Sequence, residues 1–185
     1  MISFENKKVL VTGANGMIGK SLVKLLKEKG AEVYPTDLPT DLRERSVCQE
    51  ICKGMDIVMH LAGIKGSPAT AVQKPARYFV PMLQFNTNMM EAAKDAGVEW
   101  YLYTSSVGVY EQAEVLTEDD VWKTFPTKND TFPAWAKRMG ELQAQAYAIE
   151  NDWNKVSIVR PANVYGPHDN FGEHSMVVPS LIKKG

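Results

Sequence analysis

Cysteine is scarce in this chain: Cys48 and Cys52 are the two among 185 residues. With no second Cys/His pair at a metal-binding spacing, they complete no tetrahedral zinc site, and two cysteines make no disulfide framework. They fall one helical turn apart in an expected helix and read as reduced, packed thiols. Net charge is as scant, at −1, which removes the electrostatic case for nucleic acid or an anionic membrane as partner. No apolar run is long enough to span a bilayer, and the opening residues 1–8 hold no apolar signal stretch. Repeats, low-complexity tracts and heptads are missing as well. What is left, 44% hydrophobic and 23% charged residues, is an ordinary globular composition with room for one sizeable core. The expected location is cytoplasmic.

Apolar residues recur at two periods. Runs at 8–12, 32–36, 56–60, 100–104 and 156–160 read as strands. Helical spacing covers 17–29, 43–53, about 72–95 and 133 or 134–151, with Pro75 and Pro81 interrupting the third. The apolar face of the first helix is expected at Ile18, Leu22, Leu25 and Leu26. That of the last is expected at Trp135, Met139, Leu142, Ala146 and Ile149. A loop holding Gly63, Gly66 and Pro68, a polar stretch at 110–131 and a short apolar segment at 176–182 fill the rest. Strands that alternate with helices through right-handed crossovers specify an α/β fold. The expected form is a Rossmann-type doubly wound parallel sheet in three α/β/α layers.

The first strand runs into Thr12-Gly13-Ala14-Asn15-Gly16-Met17-Ile18-Gly19, and a helix follows. Gly13 permits the tight turn, Gly16 lets the backbone approach a phosphate, and Gly19 lets the helix pack on the sheet. Such a junction aims backbone N–H groups and a positive helix end at a pyrophosphate. Gly13, Asn15, Gly16, Met17, Ile18 and Gly19 are therefore candidate cofactor residues. Asp37 follows the second strand about 20 residues on, where a carboxylate can bind the adenosine ribose and repel a 2′-phosphate. That favours NAD over NADP, although Arg43 and Arg45 lie near enough to serve NADP. Asp37 also fits a plain turn residue before Pro39.

These residues, with several later segments in order, resemble the extended short-chain dehydrogenase/reductases, the group of NAD-dependent nucleotide-sugar epimerases and dehydratases. Asp41-Leu42 is similar to that family's adenine-contacting pair. His60-Leu61-Ala62-Gly63 resembles a segment whose backbone runs beside the cofactor, so Leu61, Ala62 and Gly63 join the cofactor set, while His60 reads as a core residue. Arg160-Pro161-Ala162-Asn163-Val164-Tyr165-Gly166-Pro167 resembles the nicotinamide segment. The resemblance implies cofactor contacts at Thr104, Pro161, Asn163 and Val164, and an Asn163 contact to the substrate diphosphate. Thr104-Ser105-Ser106 through Tyr110 resembles the family's Ser-Ser segment, with Glu111 where a glycine is usual. By that match Ser106 is catalytic and binds substrate, helped by Ser105. Lys137-Arg138-Met139-Gly140-Glu141 resembles the catalytic helix, making Lys137 catalytic and a ribose ligand. Spacing alone also fits a surface Lys137 paired with Glu141.

One departure matters. The family's acid/base tyrosine stands four residues before the lysine, and here that residue is Pro133. Proline carries no titratable group. Tyr101, Tyr103, Tyr110 and Asp130 are the candidate replacements. Asn86 and Asn88 receive no role, and His168 and His174 match no common zinc motif, so no metal is expected. The family continues into a smaller sugar-nucleotide domain, so residues 1–167 are expected to be the dinucleotide domain and 168–185 the start of a substrate region largely absent. The expected activity is NAD-dependent epimerisation or dehydration of a nucleotide-diphosphate sugar, impaired by Pro133. The alternative is a non-catalytic NAD-binding module. A homodimer through the helices at 72–95 and 134–151 is the expected assembly.

Overall fold

The computed structural model describes residues 3–64, 72–172, 175 and 177–184. Gly66, Pro68, His174 and Met176, singled out above, lie outside them. Five strands, β1 (Lys8–Thr12), β2 (Glu32–Thr36), β3 (Ile57–His60), β4 (Trp100–Thr104) and β5 (Val156–Val159), form one sheet in the order β2-β1-β3-β4-β5. Every neighbouring pair is parallel; Thr12 lies beside Thr36 on one side and His60 on the other. The chain leaves β1 in one direction to make β2 and returns past it to make β3. The ends of β1 and β3 thus flank the topological switch point, where open parallel sheets bind ligands.

Helices α1 (Met17–Glu28), α2 (Arg45–Cys52), α3 (Ala76–Asp95), α4 (Thr131–Asn151) and α5 (Val177–Lys184) connect or follow the strands. Two apolar cores result. Leu10, Val58, Tyr101 and Tyr103 face α2, α3 and α4. Val9, Val11, Ile57 and Met59 face α1 through Leu22, Val23 and Leu26. The alternation along β1 and β3 is the period-two pattern of a strand buried on both faces.

Three expectations shift. In α1, Leu26 is buried and Leu22 half-buried as expected, but Ile18 and Leu25 are 39% and 50% exposed, and Gly19 and Val23 join the inward face. In α3, Pro75 takes the cap position and Pro81 lies inside a continuous helix. In α4 the buried residues are Ala134, Ala136, Lys137, Arg138, Gly140, Glu141 and Ala144, whereas Leu142 and Ile149 are 46% and 87% exposed. The later part of the expected stripe faces outward while Trp135 and Met139 are half-buried, and the inward face is small and charged. A Cβ on Gly140 would stand 2.3 Å from the Tyr103 phenol, so glycine is what lets α4 lie against β4.

Candidate cofactor and active site

The glycine turn is shaped by close approach. Gly13 has φ +69°, and a side chain there would meet the Ala62 backbone at 2.9 Å. A Cβ on Gly19 would fall 2.2 Å from the Gly13 carbonyl, and one on Gly16 3.2 Å from the same oxygen. Gly16 caps α1 without any side-chain bond, so the N–H groups of the first turn are left for an incoming acceptor. Asp37 is tied into this turn: Asn15 N–H donates to its Oδ2 and Leu38 N–H to its Oδ1, each at 2.8 Å. The carboxylate is fixed beside the cradle at the end of β2. A cradle kept free of side chains, with a carboxylate on its ribose side, fits a dinucleotide.

The crevice floor is built from polar groups that satisfy one another. The Thr12 hydroxyl accepts from Ala62 N–H at 3.2 Å and meets His60 Nδ1 at 2.8 Å, while His60 Nε2 meets Asn86 Oδ1 at 3.0 Å. That arrangement puts the ring proton on Nε2. Burial, with repulsion from Lys137 added, pushes the His60 pKa down to about 3. His60 is thus a neutral strut, as expected of a core residue. Leu61 and Ala62 are half-buried and Gly63 exposed along the rim.

Both residues of the expected adenine-side pair have partners within the chain. Three Arg43 donors hold Asp41, and its carboxyl lies down at about 2 because Arg43 bonds it. Leu42 is buried in the core, so its side chain is turned from the crevice. Asn88 Nδ2 donates to the carbonyls of Leu42, at 3.4 Å, and Arg43, at 2.7 Å, pinning this loop to α3. Asn86 and Asn88, assigned nothing above, thus position His60 and the loop. Cys48 and Cys52 are free, fully buried and pushed up to about 12 by burial, as expected of packed thiols.

Lys137 is 8% exposed and donates from Nζ to the Thr104 carbonyl at 2.7 Å, 5.4 Å from the Tyr103 ring centre. It is not the surface partner of Glu141. Burial lowers its pKa to about 8. Glu141, fully buried, holds Arg160 through Nε at 3.0 Å and Nη2 at 2.7 Å. Ser105 donates to the same carboxylate. Ser105, expected to help bind substrate, therefore has its hydroxyl hydrogen engaged by Glu141. Arg160 Nη1 donates to the Tyr110 hydroxyl at 2.8 Å. This Ser105–Glu141–Arg160–Tyr110 network went unforeseen; its signal, a Glu four residues past Lys137, looked like a surface pair.

Ser106 opens a 3-10 turn, Val107–Val109, its Oγ accepting from Gly108 N–H at 3.1 Å. Val107 N–H donates to the Pro161 carbonyl at 2.9 Å, which holds the 160–167 segment beside the serine. Asn163 and Val164 are exposed there. Met17, Ile18 and Val164 line one apolar groove of about 290 Å³ with Leu25 and Tyr165. The exposed apolar residues of α1 thus form a wall of that groove.

Residues 9–185 match the family described as NAD dependent epimerase/dehydratase family. The chain belongs to it. Among its relatives, GDP-L-fucose synthase 1 of Arabidopsis thaliana is 28% identical over 191 residues, covering 99% of this chain and 58% of that protein. A dTDP-4-dehydro-6-deoxy-D-allose reductase from Streptomyces sp is 28% identical over 204 residues, covering 96% of this chain and 62% of its own length. The fold matches a crystal structure from Campylobacter jejuni, a GDP-D-glycero-L-gluco-heptose synthase in the presence of NADPH. That match has TM-score 0.88 and 20% identity, over 100% of this chain and 55% of the other. The chain therefore spans somewhat under two thirds of the length of these relatives. Among the described residues no cluster of three metal-ligating side chains occurs, and no helix is long and apolar enough to cross a membrane.

Proposed function

We propose that this chain is the dinucleotide-binding part of an oxidoreductase acting on a nucleotide-diphosphate sugar, with NAD as the preferred cofactor. The carrying observation is the side-chain-free cradle of Gly13, Gly16 and Gly19 with Asp37 tied to Asn15 beside it. When bound, nicotinamide would exchange a hydride with a sugar carbon. Lys137 would place an ammonium at the cofactor ribose, and Ser106 would bond the reacting oxygen. Leu61, Ala62, Gly63, Thr104, Pro161, Asn163 and Val164 would complete the walls, Asn163 facing the diphosphate. The names of the relatives, a synthase and a reductase of nucleotide sugars, support that substrate class. They favour reduction of a keto sugar, alone or coupled to epimerisation, over dehydration. Residues 1–167 would hold the cofactor and 168–185 would begin the substrate side.

The cofactor choice rests on the carboxylate. The Campylobacter structure is described with NADPH; here the Asp37 carboxylate would set a like charge against a 2′-phosphate. Calorimetric titration tests the reading: NAD is expected to bind at least about tenfold tighter than NADP, roughly 1.4 kcal/mol. Equal or reversed affinities would refute the preference, and no heat from either would refute the cofactor site. For assembly, we propose a homodimer through the outward faces of α3 and α4, supported by exposed Val80, Leu142 and Ile149.

A further inference from the structure

The helix that carries Lys137 has Pro133 where a phenol would serve as acid and base. Among the described residues, one of the four candidate replacements is neither fully buried nor hydrogen-bonded through its side chain. Tyr101 is fully buried, and its hydroxyl finds no partner among the described residues. Tyr103, equally buried, donates to the Lys137 carbonyl at 3.2 Å. Tyr110 accepts from Arg160. Asp130 remains, half-buried at the start of α4.

Aspartate is favoured before a helix because its oxygen accepts a first-turn N–H. Asp130 occupies that cap position and makes no such bond. Its carboxylate turns toward the Ser106 turn. A side chain built on Gly108 would come 2.8 Å from Asp130 Oδ2 and 3.4 Å from Ser106 Oγ. Glycine at 108 is what leaves room, so the carboxylate and the serine hydroxyl border the same small volume. The Gly108 N–H takes one lone pair of Ser106, which leaves its hydrogen to donate outward. The cations of α4 are engaged elsewhere: Lys137 on the Thr104 carbonyl, Arg138 on those of Val109 and Thr124.

We propose that Asp130 is the proton-transferring group of the site, working with Ser106 in place of the missing phenol. This deepens the oxidoreductase reading and rests on it. In the oxidising direction, the sugar hydroxyl is bonded to Ser106 and loses its proton to the Asp130 carboxylate. The carbon's hydride leaves to the oxidised nicotinamide in the same event. O–H and C–H bonds break, a C=O and a carboxylic O–H form, and two electrons pass to the cofactor. In the reducing direction, the acid of Asp130 returns the proton to the oxygen as hydride arrives. Burial raises the Asp130 carboxyl above its ordinary value, the direction an acid/base needs.

Two measurements decide it. Carbon-13 NMR of the Asp130 carboxyl, titrated in the cofactor-free chain and assigned with D130N, is expected to show an inflection above about 3.9, the ordinary aspartate value. A value at or below that overturns the proposal. Kinetics with NAD or NADH and a panel of GDP-, UDP- and dTDP-linked hexoses and their 4-keto forms supply the second readout. D130N is expected to lower kcat about 100-fold or more, with KM and NAD affinity within about twofold and partial recovery in D130E. Turnover that survives D130N, or a loss matched by lost NAD binding and a lower Tm, overturns the role of Asp130 and leaves the oxidoreductase reading standing. A wild-type chain that gives no heat with NAD or NADP overturns the oxidoreductase reading and the inference with it.

Discussion

Lys137 shows how a single residue is set by what lies far from it in sequence. Its ammonium is held by a carbonyl 33 positions back and shielded from water, and its pKa falls from 10.5 to about 8. Between those values the unfolded chain binds a proton that the folded chain lacks, so this residue makes stability rise with pH. The gain is complete above 10.5 and disappears as pH falls through about 8. Urea titrations of wild type and K137M should therefore diverge in favour of wild type between pH 8 and 10.5, by up to about 3 kcal/mol. A pH-independent difference would contradict the burial argument. Function runs the other way: K137M should lose cofactor affinity at pH 7, where the ammonium is charged. Asp37 gives a second residue-scale test, since D37S removes the like charge and should narrow the NAD-to-NADP affinity ratio in calorimetry. An unchanged ratio would locate the selectivity elsewhere. The glycine turn and the His60 strut were legible because each answers a local backbone or burial demand. The partners of Lys137 and Ser105 were not, because an i,i+4 spacing describes a free helix and says nothing of a carbonyl or carboxylate brought in by the sheet.

At the scale of elements, α4 departs furthest from its pattern. Periodicity placed Leu142 and Ile149 inside; they are outside, and Glu141 with Gly140 takes the inner face. Hydrophobic spacing finds a stripe but cannot say whether that stripe meets the sheet or points away from it. What turns the helix is the fit of Gly140 against Tyr103 and the pull of Arg160 on Glu141. Strand positions were read more closely, because strands covered on both faces are short continuous apolar runs bounded by glycine or polar residues. Breaking the inner pair should be costly. E141Q leaves Arg160 short of its counter-charge and is expected to lower unfolding free energy by about 3 kcal/mol, read from the urea midpoint. A shift below about 0.5 kcal/mol would make the pair behave like a solvent-exposed one. G19A attacks the other end of the site, where a Cβ would strike the Gly13 carbonyl backbone at 2.2 Å. It should cost about 1–3 kcal/mol and abolish NAD binding by distorting the turn.

For the molecule as a whole, the sheet order sets where ligands gather, and the outward face of α4 sets how copies could meet. The switch point between β1 and β3 brings the glycine turn, the His60 strut and the Ser106 turn to one edge. That edge leaves the outward faces of α3 and α4, packed side by side on one face of the sheet, free to serve another purpose. Val80 is 46%, Leu142 46% and Ile149 87% exposed on them. Such side chains cost solubility unless covered, and two copies of this parallel helix pair can cover each other as a four-helix bundle. Sedimentation equilibrium should accordingly give the mass of two chains, and L142E/I149E should give one. Because the paired helices lie away from the glycine turn, the double variant should bind NAD as wild type does. A wild-type monomer across the micromolar range would leave those residues as solvent-facing apolar groups with no partner copy. A dimer that survives both charges would move the contact to a different face.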